Sequence, residues 1–244
     1  MKNGIVLLAC LLVASTSYAA FEYGDFVGNT VTFEDVGEQE GYFGAPLVIG
    51  DSLVFQPQDF AVETLGGGVD AKNGHVWMTF QAAAGRDIDS IELEEYGDWS
   101  LQGIGDTTYV SIAGLATLRI DEVEGVALDN PINAQGAMLY KKSKNAFWDD
   151  GIFTLAEDGP AAELWEGELK FDIDQILLDN GITDGKATRI YFTMDNNLFA
   201  LSESGSYAQL EKKDFEGFVV TVPVPEPATM VLLGLGGLLL RRKK

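Results

Sequence analysis

Cysteine is almost missing from this sequence: Cys10 is the only one among 244 residues. It sits inside an apolar stretch at the extreme N-terminus, where it reads as filler. Disulfides therefore contribute nothing to the stability of the body, and no metal site there can rest on thiolates. Histidine is equally scarce. A histidine-based metal centre or a Ser-His-Asp relay would have to rest on His75 alone. Its expected place, on the polar face of a strand beside Trp77, is that of a solvated side chain. Positive charge is thin as well, with 16 Lys and Arg against 38 Asp and Glu for a net charge of −22. Lys2, Arg241, Arg242, Lys243 and Lys244 lie at the two ends, so the body is more acidic still. Repulsion excludes nucleic acid as a partner. Such acidity keeps an exported protein soluble; its functional counterpart would be uptake of divalent cations or cation-dependent contact with matrix polymer.

The two ends carry signals of their own. Met1-Lys2-Asn3 is a small positive segment, Ile5 to Ala14 is apolar, and Ser17-Tyr18-Ala19 places small residues where a signal peptidase needs them. Cleavage is expected after Ala19, which makes residues 1–19 a signal peptide. At the other end Pro225 and Pro227 hold the approach extended and, with Glu226 between them, leave a polar, non-helical hinge. An uncharged apolar run follows from Ala228 to Leu240, and Arg241-Arg242-Lys243-Lys244 stops it. As a helix rising roughly 1.5 Å per residue the run reaches about 20 Å, short of the roughly 30 Å hydrocarbon core. The basic stop belongs on the cytoplasmic side of the inner membrane, which leaves the body outside it.

The Pro225-Glu226-Pro227 triplet, the short apolar segment and the terminal Arg/Lys cluster together resemble the PEP-CTERM sorting tail of bacterial surface proteins. The resemblance covers residues 223–244 only. It implies recognition by an exosortase-type enzyme after export by the secretion machinery, with transient residence in the inner membrane. The destination it implies is the cell envelope, the surface or the extracellular matrix. It says nothing of what the body binds.

Between the ends, residues 20–222 read as one strand-rich ectodomain. Period-two alternation marks Thr30 to Glu34, Ser52 to Phe55, Gly74 to Ala83, Ile91 to Glu94, Leu164 to Ile173, Arg189 to Met194 and Phe218 to Val222. Tyr109 to Val123 offers two further β-rich runs around Ala113-Gly114. Asp172 to Asp179 is the one stretch with helical spacing, while Gly66 to Gly68 and Lys141 to Gly151 read as loops. The 28 glycines suit a chain with many tight turns. The expected fold is all-β: an antiparallel sandwich or jelly roll, followed by the short apolar helix of the tail.

Candidate chemistry in the body is sparse. Acid pairs occur at Asp87 and Asp89, Asp149 and Asp150, and Asp172 and Asp174, but spacing cannot select a glycosidase pair from so many carboxylates. Asp149-Asp150-Gly151 and Asp195-Asn196-Asn197 read as acidic turns able to wrap Ca²⁺, although neither follows the twelve-residue calcium-loop pattern. Turn formation alone accounts for their composition. Trp77 and Tyr191 fall opposite the apolar residues of their strands, and Trp148 falls in a polar loop. Flat rings beside amides and carboxylates suit stacking on sugars, while cross-strand packing explains them equally well. The expectation is an exported envelope or matrix protein, non-enzymatic and without a cofactor, whose ectodomain is structural or associated with extracellular polysaccharide. The alternative is a carbohydrate-active enzyme or binding module on the same fold.

The triplet separates an address from an anchor. Glu226 lies outside the hydrocarbon, so a passive anchor would be indifferent to it. In a recognition site its charge is worth about 1.5–3 kcal/mol, roughly a tenfold to hundredfold effect on processing. In a host that makes the sorting enzyme, Glu226→Gln is expected to raise the ratio of full-length to C-terminally shortened protein by that factor. Equal ratios in wild type and variant would reduce the triplet to a hinge.

Overall fold

Alternating side chains give each strand one apolar face, and two antiparallel sheets bury those faces against each other. The computed structural model describes residues 20–142, 150–213 and 218–222. The first sheet runs in the order β1 (Phe21–Val27), β2 (Val31–Glu38), β6 (Gly68–Ala82), β13 (Ala187–Ser202), β8 (Tyr109–Val123), β11 (Ile152–Thr154). β9 (Val126–Ala137) pairs with the rest of β8. The second sheet runs β10 (Leu139–Lys142), β12 (Ala161–Asp172), β7 (Ser90–Gln102), β15 (Phe218–Thr221), β4 (Ser52–Phe55), β3 (Leu47–Ile49). β14 (Tyr207–Lys212) continues alongside β7 where β15 stops, and β5 (Ala61–Leu65) pairs with β14. Every pairing is antiparallel, and the sandwich expected from the alternation is what forms.

The core between the sheets is aromatic. Phe33, Phe80 and Phe192 meet in the first sheet, with Phe33–Phe80 edge to face at 5.8 Å. Trp99 of β7 stacks on Phe153 of β11 at 5.2 Å, joining the two sheets near one end. Phe43, Phe55 and Phe60 form a second cluster, fully buried with Phe43 edge-on to both neighbours. Glu38 is buried beside it and holds its loop: the carboxylate accepts from Phe43 N–H and Gly44 N–H, each at 2.8 Å, and from Tyr23 Oη at 2.5 Å.

Several strands escape the sequence reading. β1, β3, β9, β10 and β11 are short, lie at edges or carry exposed polar residues, so their alternation is weak, while β5 and β14 alternate in burial but are only five and six residues long. Lys141 and Lys142, read as loop, belong to β10 and pair with Glu166 and Trp165. The two runs expected around Ala113-Gly114 are one unbroken strand, β8, because Gly114 is held in register opposite Asn196. β8 and β9 join through Glu124 and Gly125, both at positive φ (52° and 73°), the geometry of a type I′ hairpin. The helical stretch does form, as α2 (Ile173–Asp179), capped by Asp172 accepting from Gln175 N–H. A further short turn, α1 (Leu155–Asp158), follows β11. No helix among the described residues is long and apolar enough to cross a membrane, and the run from Ala228 to Leu240 lies outside them.

At Gly97, in the middle of β7, a Cβ would land on the Glu211 carbonyl oxygen and on the Trp165 ring. Backbone on one side and a buried indole on the other leave no room to yield. Gly97→Ala is expected to cost about 3 kcal/mol or more of stability. The measurement is urea unfolding, where the midpoint should fall at unchanged slope.

Candidate functional site

Two groups of side chains stand out, one on the outer face of the first sheet and one between the sheets. Antiparallel register builds the outer face row by row. Glu34, Thr79, Tyr191, Arg119 and Asn133 align across β2, β6, β13, β8 and β9. Gly37, Trp77, Thr193, Thr117 and Gln135 form the next row, and His75, Asp195 and Leu115 the one after. Trp77 and Tyr191 are therefore diagonal neighbours on one face, both half-buried. Gly37 stands directly opposite Trp77, and the indole fills the space a side chain would take. Arg119 lies over the Tyr191 ring at 5.0 Å, its guanidinium paired with Asp121. Arg189 ties one end of the face together by donating to Glu34 at 2.7 Å and Gln81 at 2.8 Å.

His75 belongs to this face and is not simply solvated. Its Nδ1 meets Asp195 Oδ1 at 2.7 Å, its backbone N–H donates to Glu40, and its ring lies 5.8 Å from that of Trp77. The reading of Asp195-Asn196-Asn197 as a turn is overturned: all three lie inside β13, where alternation turns Asp195 outward and Asn196 into the core. Asp150 is exposed at the approach to β11, on the far side of β8 from Asp195. Trp148 and Asp149 lie outside the described residues, as do Ala19, Pro225, Glu226, Pro227 and Arg241 to Lys244. Among the described residues no three His, Cys, Asp or Glu side chains are arranged to hold a metal ion. Two of the acid pairs have structural duties: Asp172 caps α2, while Asp89 and Asp174 share Lys186 at 2.9 and 2.5 Å.

The second sheet presents an acidic outer face. Glu94 of β7 and Glu168 of β12 stand directly opposite one another, both exposed, beside a groove of about 430 Å³ that Leu139 and Lys170 also line. Tyr96 Oη donates to Glu94 at 3.1 Å.

The interior group was missed by the sequence reading. Glu95 of β7, Lys212 of β14 and Asn196 of β13 are all at most 1% exposed. Lys212 Nζ lies 2.5 Å from Glu95 Oε1, and Asn196 Nδ2 donates to the same oxygen. Tyr140 Oη donates to the other carboxylate oxygen at 3.3 Å. The Phe43, Phe60 and Trp165 rings surround the ammonium at 5.7–5.9 Å. Glycine makes the room: Asn196 has Gly74 on one side and Gly114 on the other, and Lys212 faces Gly97. A Cβ at Gly74 would strike Phe43 and Phe60, and one at Gly114 would strike Tyr140 Oη and Met194. Burial pushes the Glu95 carboxyl above its usual range despite the pull of Lys212. Burial likewise pushes the Lys212 ammonium below its usual value, and Tyr140 well above. The signal lay in the alternation itself. Glu95 falls in phase with Ile91, Leu93, Trp99 and Leu101, Asn196 with Phe192, Met194 and Leu198, and Lys212 with Ala208 and Leu210.

Residues 223–244 match the PEP-CTERM protein-sorting motif, so the chain ends in an exosortase-type sorting signal, which implies export and processing at the membrane. No curated protein matches the sequence. Among solved structures the chain is similar to the Trichoderma harzianum endoglucanase 3 from family GH12, at 8% identity over 87% of this chain and 100% of that one, with a TM-score of 0.23. A likeness that faint carries no argument about activity.

Gly37 and Trp77 allow the outer face to be perturbed at one point. A Cβ on Gly37 would fall 2.5 Å from Trp77 Cζ2. Gly37→Ala is expected to push the indole outward at a cost of about 1–3 kcal/mol. Its tryptophan emission should shift to the red, a shift that Trp77→Phe in the same background should remove.

Proposed function

We propose that the ectodomain is a non-enzymatic component of the bacterial envelope or extracellular matrix that lies against polysaccharide through the outer face of its first sheet. The observation that carries this reading is the diagonal pair Trp77 and Tyr191, set among Thr193, Thr117, Asn133 and Gln135 on a broad sheet. Aromatic rings stack on the C–H faces of sugars, and the surrounding hydroxyls and amides offer donors and acceptors to sugar hydroxyls. The sorting tail supports the setting, since it delivers the body to the outside of the inner membrane, where such polymers accumulate. Release there, or retention by the tail, leaves the same face available.

A second reading has one observation in its favour. Glu94 and Glu168 stand opposite each other on neighbouring strands beside a groove. Directly opposed residues have Cβ atoms about 4.5–5.5 Å apart, which puts two glutamate side chains within reach of the carboxyl separation of about 5–5.5 Å in retaining glycosidases. The two readings part in a single experiment. The exported protein is incubated with an array of bacterial polysaccharides and scored for both retention and release of reducing ends. Retention without release is expected, and Trp77→Ala and Tyr191→Ala should each weaken it at least about tenfold, or 1.4 kcal/mol. Release of reducing ends that vanishes in Glu168→Gln would replace the structural reading by the hydrolytic one. Retention unchanged in both aromatic variants would remove the proposed face.

A further inference from the structure

Lys212, Asn196 and Glu95 constitute a complete set of reactants for amide exchange, sealed in the core. Lys212 Nζ and Asn196 Nδ2 both touch Glu95 Oε1, so amine and carboxamide lie less than two hydrogen-bond lengths apart. Asn196 Oδ1 is buried and has no hydrogen-bond partner among the described residues. Aromatic rings close the site against water. We propose that Lys212 and Asn196 join through an intramolecular isopeptide bond, formed without any external enzyme, with Glu95 carrying the proton between them.

The step balances without an oxidant or cofactor. A proton passes from Lys212 Nζ to Glu95 Oε1, leaving a neutral amine and a neutral carboxylic acid. Burial favours that form on both sides, since it raises the Glu95 carboxyl and lowers the Lys212 ammonium. The Nζ lone pair attacks Asn196 Cγ, and the carbonyl electrons move onto Oδ1. The Nζ proton is relayed through the Glu95 carboxyl to Nδ2. The Cγ–Nδ2 bond breaks, the carbonyl reforms, and ammonia leaves. A new Nζ–Cγ amide remains, and Glu95 is left able to accept a hydrogen bond from it. Desolvated lysine is a competent nucleophile, and holding it against its target supplies the proximity that the uncatalysed reaction lacks.

Energetics favour this assignment over a plain ion pair. A buried charged pair is weak as a stabilising device, because desolvation offsets most of its attraction. The product amide is neutral, and it ties β13 of the first sheet to β14 of the second. A protein without disulfides that works outside the cell thereby acquires a covalent link between its sheets.

Trypsin provides the test, because the segment Ile190 to Lys212 contains no other Lys or Arg and holds both partners. Full-length protein is expressed with both ends intact, purified and digested. The expected product is a single peptide, Ile190 to Lys213, lighter by one ammonia. It resists cleavage after Lys212 and yields no fragment ions between Asn196 and Lys212. Glu95→Gln should restore the full mass and cleavage at Lys212. If that variant fails to fold, the wild-type digest decides alone. Unchanged mass in wild type overturns the bond. Ile190 to Lys213 joined to the peptide Asp87 to Arg119, with loss of water in place of ammonia, would mean a Lys212–Glu95 amide and overturns it too. Loss of ammonia with Lys212 still cleavable would be a succinimide at Asn196, again against the proposal.

Discussion

Two opposite charges and an amide occupy positions between the sheets that neighbouring strands fill with hydrocarbon, and much of the architecture follows from keeping them together. Either charge left alone in that interior would cost several kcal/mol. β14 must therefore run beside β7 in the one register that sets Lys212 opposite Gly97, two residues along the strand from Glu95. A slip of one residue would turn Lys212 to solvent and strand the carboxylate. Asn196 brings the first sheet into the same constraint, since its side chain reaches across the gap to a residue of the second. The glycines at 74, 97 and 114 are the steric counterpart: each gives up a side chain so that Phe43, Phe60, Trp165 and Tyr140 can close around the group. Polarity in this core thus selects strand order and register, where hydrocarbon alone would tolerate several.

The tail and the body answer to different physics. The tail is a sorting motif whose features are contiguous in sequence: a charge between prolines, an uncharged run and a basic stop. The body is a surface built by register. Its outer face gathers Trp77, Tyr191, His75 and Asp195 from β6 and β13, which are about a hundred residues apart in the chain. Only antiparallel pairing makes them neighbours.

How far the sequence could be read depended on how local each feature is. Strands with a strong apolar face were legible: Phe171, Ile190, Phe192 and Met194 point inward as their alternation requires. Edge strands were not, because β1 and β9 expose most of their residues and owe their conformation to a neighbour's hydrogen bonds. Asp195-Asn196-Asn197 shows the limit most plainly. Its composition favours a turn in isolation, yet β6 and β8 flank it on both sides and impose the extended conformation.

Export, the sorting tail, the all-β class and the inward and outward faces of the strongest strands were determined by the sequence itself, because each is written in neighbouring residues. The tertiary structure alone decided that Glu95, Asn196 and Lys212 meet. Each appears in its own strand as a polar interruption of an apolar row, a local conflict with nothing nearby to resolve it. The partner that resolves each one comes from another strand, across as many as 117 residues of chain for Glu95 and Lys212. Desolvation makes the meeting obligatory, but only the pairing of β7 with β14, and the packing of β13 against them, determines which groups meet.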